Sequence, residues 1–397
     1  MGGPGPTIGG GEVMEAPARS AVVVGAGPAG LVAAIALRRA GIDTVVCERL
    51  AATSDAGSGL TLWPNAMQAL DHVGAADAVR RVGAPCDGIS MQNARGRVLD
   101  RTPRALLEER FGGTGAALHR GELLEALADV LGPGVVRFGA ACVGVEQDAE
   151  LASVALDDGT RLEADVVIGA DGIGSLVRRA LFGACALRYA GYPVWRAVTP
   201  FELAGAERTG TLTLGRGAQF GLFPMTRGRV YWFAALDAAE GTAASGAAAK
   251  RLLLGRFGAW HDPIGRVLEA TGDAAIVASD VHELEPLPRW SRGRVTLVGD
   301  AAHAGTPALG QGACQAIEDA VVLVHCLRGH RRVDAAFADF ERRRLGRANR
   351  TVREAHMLSR VGQWRSPLAC RSRDALIRLT PGRLQLRRLD WLFSFEL

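Results

Sequence analysis

Short uninterrupted apolar runs alternate along the chain with segments of helical period, a pattern that predicts a mixed α/β protein. Ala21 to Val24 (A-V-V-V) is a continuous apolar stretch of the kind buried in a parallel sheet. G-A-G-P-A-G follows at once, Leu31 to Arg39 reads as a helix ended by Gly41, and Thr44 to Cys47 reads as a second strand closing on Glu48. Together they form one βαβ unit. Pro64-Asn65 opens a helix carrying Met67 and Leu70, and His119-Arg120-Gly121-Glu122 opens another. Alternation returns from Val143 to Leu156, with a hairpin signal at Asp157-Asp158-Gly159. Two further buried strands end on acids. Ala164 to Gly169 runs into Asp171-Gly172 before a helix from Ser175 to Leu181, and Arg294 to Val298 runs into Gly299-Asp300 before a helix from Ala313 to about Leu327. Acids at the carboxyl ends of such strands sit where open α/β sheets bind ligands.

Residues 186 to 280 differ in character. All three tyrosines (Tyr189, Tyr192, Tyr231) and Trp195, Trp232 and Trp260 fall there, with alternating segments at Ala218 to Phe223 and Arg229 to Ala234. This predicts a mostly antiparallel sheet whose aromatic side lines a pocket. The last segment, Leu376 to Leu397, carries Leu384, Leu386, Leu389, Trp391, Leu392, Phe393 and Phe395 with Arg383, Arg387 and Arg388, and is expected to pack as a C-terminal helix closing the lobes. A membrane-surface or dimer contact is the alternative for that segment.

Composition narrows the function. With 397 residues, 48% hydrophobic and 22% charged, the chain has room for two or three lobes around sizeable cores. Net charge is only +4 and the basic residues are dispersed, which argues against nucleic-acid binding. Lys250 is the only lysine, which leaves little room for lysine-dependent chemistry. Seven cysteines without a C-x-x-C pair predict reduced thiols and a cytoplasmic setting. The Gly- and Pro-rich start reads as a flexible tail rather than a signal peptide, and Ala21 to Leu37 is too short and too Gly-broken to span a bilayer. No H-E-x-x-H or Cys/His ligand spacing is present, so no metal is expected; His303 is the histidine worth testing, with a supporting or packing role expected.

The first turn carries a specific chemistry. Gly25 permits the tight turn, Gly27 lets the backbone approach a pyrophosphate, and Gly30 lets the helix pack closely on the strand. The helix N-terminus offers free N–H groups to the anion, and Glu48 stands eighteen residues after Gly30, where a carboxylate can accept from an adenosine ribose.

Three blocks stand in order: G-A-G-P-A-G with Glu48, A-D-G-I-G-S with Arg178, and G-D-A-A-H-A with P-A-L-G-Q-G. Together with L-T-L-W-P-N-A-M-Q-A-L and H-R-G-E-L they resemble the single-component FAD-dependent aromatic hydroxylases, the class A flavoprotein monooxygenases, over about residues 20 to 360. The resemblance implies an α/β fold: a Rossmann-like FAD-binding domain of the GR2 type, an inserted mostly antiparallel β-sheet substrate domain and a C-terminal helical segment. The boundaries expected are a tail at 1–19, the FAD domain at 20–83, 106–185 and 281–345, the substrate sheet at 84–105 and 186–280, and the helical segment at 346–397. It further implies that Gly25, Gly27, Pro28, Ala29, Gly30, Glu48 and Arg49 hold the ADP half of FAD, with Arg120 near the pyrophosphate. Asp171 and Gly172 match a motif associated with both FAD and NAD(P)H. Gly299 and Asp300 match the ribityl-binding turn, and Pro307, Gly310, Gln311 and Gly312 lie beside the isoalloxazine.

The implied reaction is hydroxylation of an aromatic or polycyclic small molecule, in which NADPH or NADH reduces FAD and a C4a-hydroperoxyflavin formed with O₂ transfers oxygen. No second G-x-G-x-x-G appears, so the nicotinamide is expected to bind transiently. Tyr192, Arg196, Gln219 and Tyr231 are the candidates for the substrate pocket. Urate-hydroxylating members carry Arg at the position matching Gln219, which disfavours urate, and the scarcity of anion clamps besides Arg196 and Arg216 points to a larger, more apolar substrate. Olefin epoxidation, O₂-independent reduction of a polyprenyl-type double bond and a flavin-binding protein without turnover are the rival readings. Membrane contact is not expected, and the chain is expected to be a monomer or homodimer.

Overall fold

The computed structural model describes residues 18–53, 58–203, 209–380 and 382–397. The expected tail lies outside them up to residue 17, as do the side chains of Arg383, Leu386 and Arg388.

The apolar run Ser20–Val24 is the middle of a six-stranded sheet, parallel to Asp43–Glu48 on one side and to Val166–Gly169 on the other. Val136–Phe138 and Val295–Leu297 extend it in parallel, and Ser291–Arg292 closes one edge antiparallel. Its central strands are covered on both faces, which is why they read as continuous apolar stretches. The register aligns Val24 with both Cys47 and Gly169, and Gly169 with Leu297. Three chain segments therefore leave the sheet at one edge: Gly25, Glu48 and Ala170-Asp171, with Gly299-Asp300 beside them. The helices Pro28–Arg39 and Gly312–Gly329 pack together on the sheet.

The aromatic region forms a seven-stranded sheet in the order Val277–Leu284, Leu187–Pro200, Arg229–Leu236, Ala218–Met225, Gly210–Leu214, Gly88–Asn93, Val98–Pro103. Every neighbouring pair is antiparallel except Gly210–Leu214 with Gly88–Asn93. Ala84–Cys86 belongs instead to a small sheet with Gly59–Leu62 and Gly115–His119, which bridges the two large ones. Period-two alternation sorts the faces. Trp195, Ala197, Phe220, Leu222 and Trp232 bury themselves under the helices Gly246–Phe257 and Ile264–Ala270. Arg196, Gln219, Phe223, Tyr231 and Phe233 take the other face, as their direct pairings across the ladder require.

A thirty-residue helix, Val333–Gly362, lies along the molecule and is followed by Pro367–Leu379 and Gly382–Phe393. The C-terminal segment divides. Leu392 and Phe393 are buried, and Phe393 stacks on Trp63 at 5.3 Å and meets Phe111 edge-on. Arg347 donates to the carbonyls of Trp391, Leu392 and Ser394, and Arg110 pairs with Asp390. Leu384, one of the apolar residues expected to pack inward, is exposed. Deleting residues 376–397 is expected to cost on the order of 4 kcal/mol, mainly from two lost core side chains. Thermal melting of the truncated protein checks this; an unchanged melting temperature refutes it. All seven cysteines are unpaired, and no described helix is long and apolar enough to cross a membrane.

Candidate active site

The Gly-rich turn closes where Gly25, at φ +104°, donates its N–H to Cys47 O at 2.8 Å. A side chain begun at Gly25 would meet Ala170 O at 2.5 Å, and one begun at Gly30 would meet Gly25 O at 1.9 Å. A side chain begun at Gly27 meets nothing within 4 Å. Two of these glycines therefore serve the protein's own packing, while the third faces free space. Pro28 opens the helix, no side chain caps its N-terminus, and Ala29 is buried. Helical N–H groups thus face the space beside Gly27, which suits a pyrophosphate. Glu48 accepts from the N–H groups of Ala26 at 2.8 Å and Leu50 at 3.0 Å, so its carboxylate lies across the turn. Arg49 is exposed. Arg120 stands half-buried at the first position of Arg120–Leu131, where the His119 ring accepts from Gly121 N–H.

Asp171 is occupied by its own loop. It accepts from the Ser175 hydroxyl at 2.5 Å and from the N–H groups of Leu176 and Val177 at 2.7 and 3.1 Å, a carboxylate at the positive end of the Leu176–Phe182 helix. Gly172 turns at φ +76°. Arg178 then donates to Ala301 O at 2.8 Å and to Ile173 O at 2.5 Å. The Asp-Gly loop is thereby bound to the Gly-Asp turn.

Asp300 is exposed, with no hydrogen bond or ion pair to a described residue, and its Oδ1 lies 4.0 Å from where a side chain at Gly312 would begin. Gly299 is held at φ +62°, and its N–H donates to buried Asp319 at 2.9 Å. Pro307 is exposed. Gly310 turns at φ +63° over Trp63 and Thr61, and Gly312 begins the Gly312–Gly329 helix. Gln311 is different: its amide turns inward, accepting from Asn65 at 3.0 Å and Gln315 at 3.1 Å.

Beneath this loop lies a buried ionic network that sequence reasoning missed. His303 meets Asp319 at 2.5 Å, Arg344 donates to Asp319 at 2.8 Å and pairs with Glu318, and Arg347 pairs with Glu318 at 2.8 Å. Burial pushes the Asp319 carboxyl up, but His303 and Arg344 beside it hold it below its ordinary value. His303 is thus a supporting residue inside the protein. No group of three metal-ligating side chains occurs among the described residues.

The small bridging sheet joins this loop to the aromatic face. The Tyr231 ring lies against the Gly59 backbone, so that a side chain there would sit 2.3 Å from its Cγ. Phe233 lies likewise over Gly221 and Phe223 over Gly210, with ring centroids of the three 6.1 to 6.4 Å apart. Tyr231 is thus covered by Gly59 of the small sheet, while Phe233 and Phe223 lie over glycines of their own sheet, the ring planes inclined 21° to 43° to one another. Arg196 sits beside Phe233 in the ladder, donates to Ser279 Oγ, and leaves a buried Nε without a partner.

The Gln219 amide packs against Gly362 at the end of the long helix. Tyr192 is buried with its hydroxyl near Ser359 and Thr306. Burial pushes the Tyr192 phenol up to about 12 and raises that of Tyr231 against the pull of nearby Arg196. The four candidates thus converge on one face.

Two residues not anticipated join them. Gln363 is 8% exposed with both amide atoms buried and unpartnered, on the helix face that carries Ser359 and Gly362. Thr306 likewise buries its hydroxyl, beside that of Tyr192. Neither lies in a recognisable motif. An open cleft of about 610 Å³, lined by Arg179, Phe182, Arg289 and Arg292, lies apart from this site.

A family model described as an FAD binding domain matches residues 19–188 and 281–355. The chain is 37% identical over 359 residues to the aurachin C monooxygenase/isomerase of Stigmatella aurantiaca, covering 90% of this chain and 93% of that protein. It is 34% identical over 377 residues to the 2-heptyl-3-hydroxy-4(1H)-quinolone synthase of Pseudomonas aeruginosa, covering 94% and 97%. A crystal structure of Klebsiella pneumoniae HpxO complexed with FAD and uric acid superposes with a TM-score of 0.88 at 30% identity, covering 94% of this chain and 95% of that one.

Proposed function

The chain belongs to the FAD-dependent aromatic hydroxylases that share this FAD binding domain, and from that premise we propose that it uses NAD(P)H and O₂ to hydroxylate an uncharged aromatic or polycyclic molecule bound against the sheet face that carries Arg196, Gln219, Tyr231 and Phe233. The supporting observation is this face, where Arg196 leaves a buried Nε without a partner and Tyr231 meets Gly59 of the strand that runs on to Thr61 and Trp63 beneath the Gly310 turn.

The residues present suit FAD. Gly27 and the uncapped helix end would hold the pyrophosphate with Arg120, Glu48 the ribose, and exposed Asp300 the ribityl hydroxyls. Bound FAD would supply the passage of two electrons from the nicotinamide to O₂ and the activation that lets one oxygen atom of O₂ pass to the substrate while the other leaves as water. The chain does the rest. Gly310 and Gly312 allow backbone N–H groups to come close, and the start of Gly312–Gly329 lends partial positive charge to an electron-rich ring. Tyr192, with its phenol up at about 12, is neutral near pH 7 and serves as a hydrogen-bond donor rather than a base. Arg196 would polarise a hydroxyl or carbonyl oxygen on the substrate. Gln219 offers an amide where a charged partner would suit urate, and the quinolone-forming relative supports a neutral nitrogen heterocycle among the first compounds to try.

The test is to mix the FAD-loaded protein with NADH or NADPH and a panel of phenols, quinolones and indoles in air, following nicotinamide oxidation and product mass. Ligand-stimulated oxidation with a product heavier by one oxygen atom is expected. A product heavier by two hydrogens indicates a reductase, and a flavin that neither nicotinamide reduces overturns the proposal.

Gln363→Leu separates recognition from folding. Removing a buried unpartnered amide is expected to leave the melting temperature unchanged or raised, while KM for the substrate rises by roughly tenfold or more with a smaller change in kcat. A lowered melting temperature with unchanged KM would show the amide to be structural.

A further inference from the structure

We propose that the Pro367–Leu379 helix docks the protein on the surface of an anionic lipid bilayer. The helix is amphipathic in the inverted sense. Its inner side carries Cys370 and Arg373, both buried; Cys370 lies against Trp364 O at 3.1 Å, and Arg373 donates to Gly215 O, Val361 O and Gly362 O and pairs with Asp374. Its outer side carries Leu368, Leu376 and Leu379, which are 73%, 69% and 74% exposed. Their spacing of eight and three residues places them in one stripe. Single exposed leucines are ordinary on a protein surface, but three nearly bare ones on one helix face call for a partner.

Charge chooses the partner. Arg371 and Arg378 are exposed on the same helix, as is Arg387 on the next. From residue 350 onward the chain has ten arginines against four carboxylates, whereas the whole chain is only +4, so the basic excess is concentrated here. A second copy of this chain meeting face to face would bring Arg371 and Arg378 against themselves, because a two-fold interface pairs identical patches. Anionic headgroups are complementary to the arginines, and the acyl boundary to the leucines. Thirteen residues of helix reach about 20 Å, less than the bilayer's apolar thickness, so the helix lies in the plane. The inner side of the docking helix adjoins the end of the long helix where Gly362 packs on Gln219, so an apolar substrate dissolved in the bilayer would meet the enzyme one helix away from its pocket. The proposal stands on the helix face and its charge, whatever the substrate proves to be.

Flotation of the full FAD-loaded chain with vesicles of phosphatidylglycerol and phosphatidylcholine in equal parts, and of phosphatidylcholine alone, tests it. Co-flotation with the anionic vesicles is expected, about tenfold weaker with the zwitterionic ones. The triple variant Leu368→Gln, Leu376→Gln, Leu379→Gln should lose about tenfold or more of that binding while keeping its flavin content and melting temperature. Arg371→Glu with Arg378→Glu should lose it with the leucines intact. Wild-type protein that stays below the anionic vesicles overturns the proposal. So does a wild-type dimer that the triple Leu→Gln variant converts to monomer in sedimentation equilibrium, which would assign the face to a second copy.

Discussion

Gly27→Val is expected to yield a folded, soluble protein that does not retain FAD. A side chain begun at Gly27 meets no protein atom within 4 Å, so the apoprotein tolerates it. The same methyl groups would occupy the space in which a pyrophosphate must approach the free N–H groups of the Pro28–Arg39 helix. A loss of at least about a hundredfold in affinity, roughly 2.7 kcal/mol, is expected. The neighbouring glycines behave differently. Gly30→Ala would drive a methyl to 1.9 Å from Gly25 O, and Gly25→Ala would add a side chain to a residue at φ +104° facing Ala170 O. Both should damage folding itself. Flavin absorbance and thermal melting of the three purified variants check this pattern; full flavin occupancy in Gly27→Val would refute the cofactor assignment.

Arg344→Met should cost more stability than any surface substitution, about 3–5 kcal/mol, because it leaves the carboxylates of Glu318 and Asp319 buried without their shared cation. Adding Glu318→Gln and Asp319→Asn should recover part of the loss, since the penalty belongs to the orphaned charges. Flavin retention should fall as well, because Asp319 also holds the Gly299 N–H.

The pH dependence follows from the same carboxyl. Asp319 has a depressed pKa in the folded state. Its contribution is therefore fully present above the unfolded value near ~3.9 and is lost as pH falls through the lower folded value. Without Arg344, one of the cations that hold the carboxyl down is gone and its pKa rises, so acid destabilisation should begin at higher pH in the variant. Thermal melts from about pH 2 to pH 8 measure both effects. A melting temperature and acid profile equal to wild type would show that the network contributes little.

The parts of the site legible in the sequence are contiguous ones. The first turn, the strand-end acids and the helix starting at Gly312 depend on backbone geometry within a few residues, so glycine spacing and apolar runs encode them directly. The alternation at Ala218 to Phe223 and Arg229 to Ala234 likewise assigns Gln219 and Tyr231 to faces of their own strands. Position alone misleads where a polar group has a choice of partners. Asp171 stands at a strand end, yet its oxygens are taken by its own helix, and Gln311 lies in the flavin loop while its amide turns to Asn65. The apolar stripe of the C-terminal segment was equally readable, but periodicity carries no sign for inside or outside: Phe393 went into the core and Leu384 stayed out.

Local dihedral preference and short-range hydrophobic pattern were enough to specify the βαβ turn, the order of strands and helices, and the residue types gathered at the sheet edge. Long-range contacts alone set Arg196 beside Phe233, tie one motif to the carbonyl of the next through Arg178, bring Arg344 to two buried acids and leave the Gln363 amide buried without a partner. Each of these depends on contacts between segments far apart in the chain, where register and burial, rather than any residue's own propensity, settle which polar atoms are satisfied and which are left for a ligand.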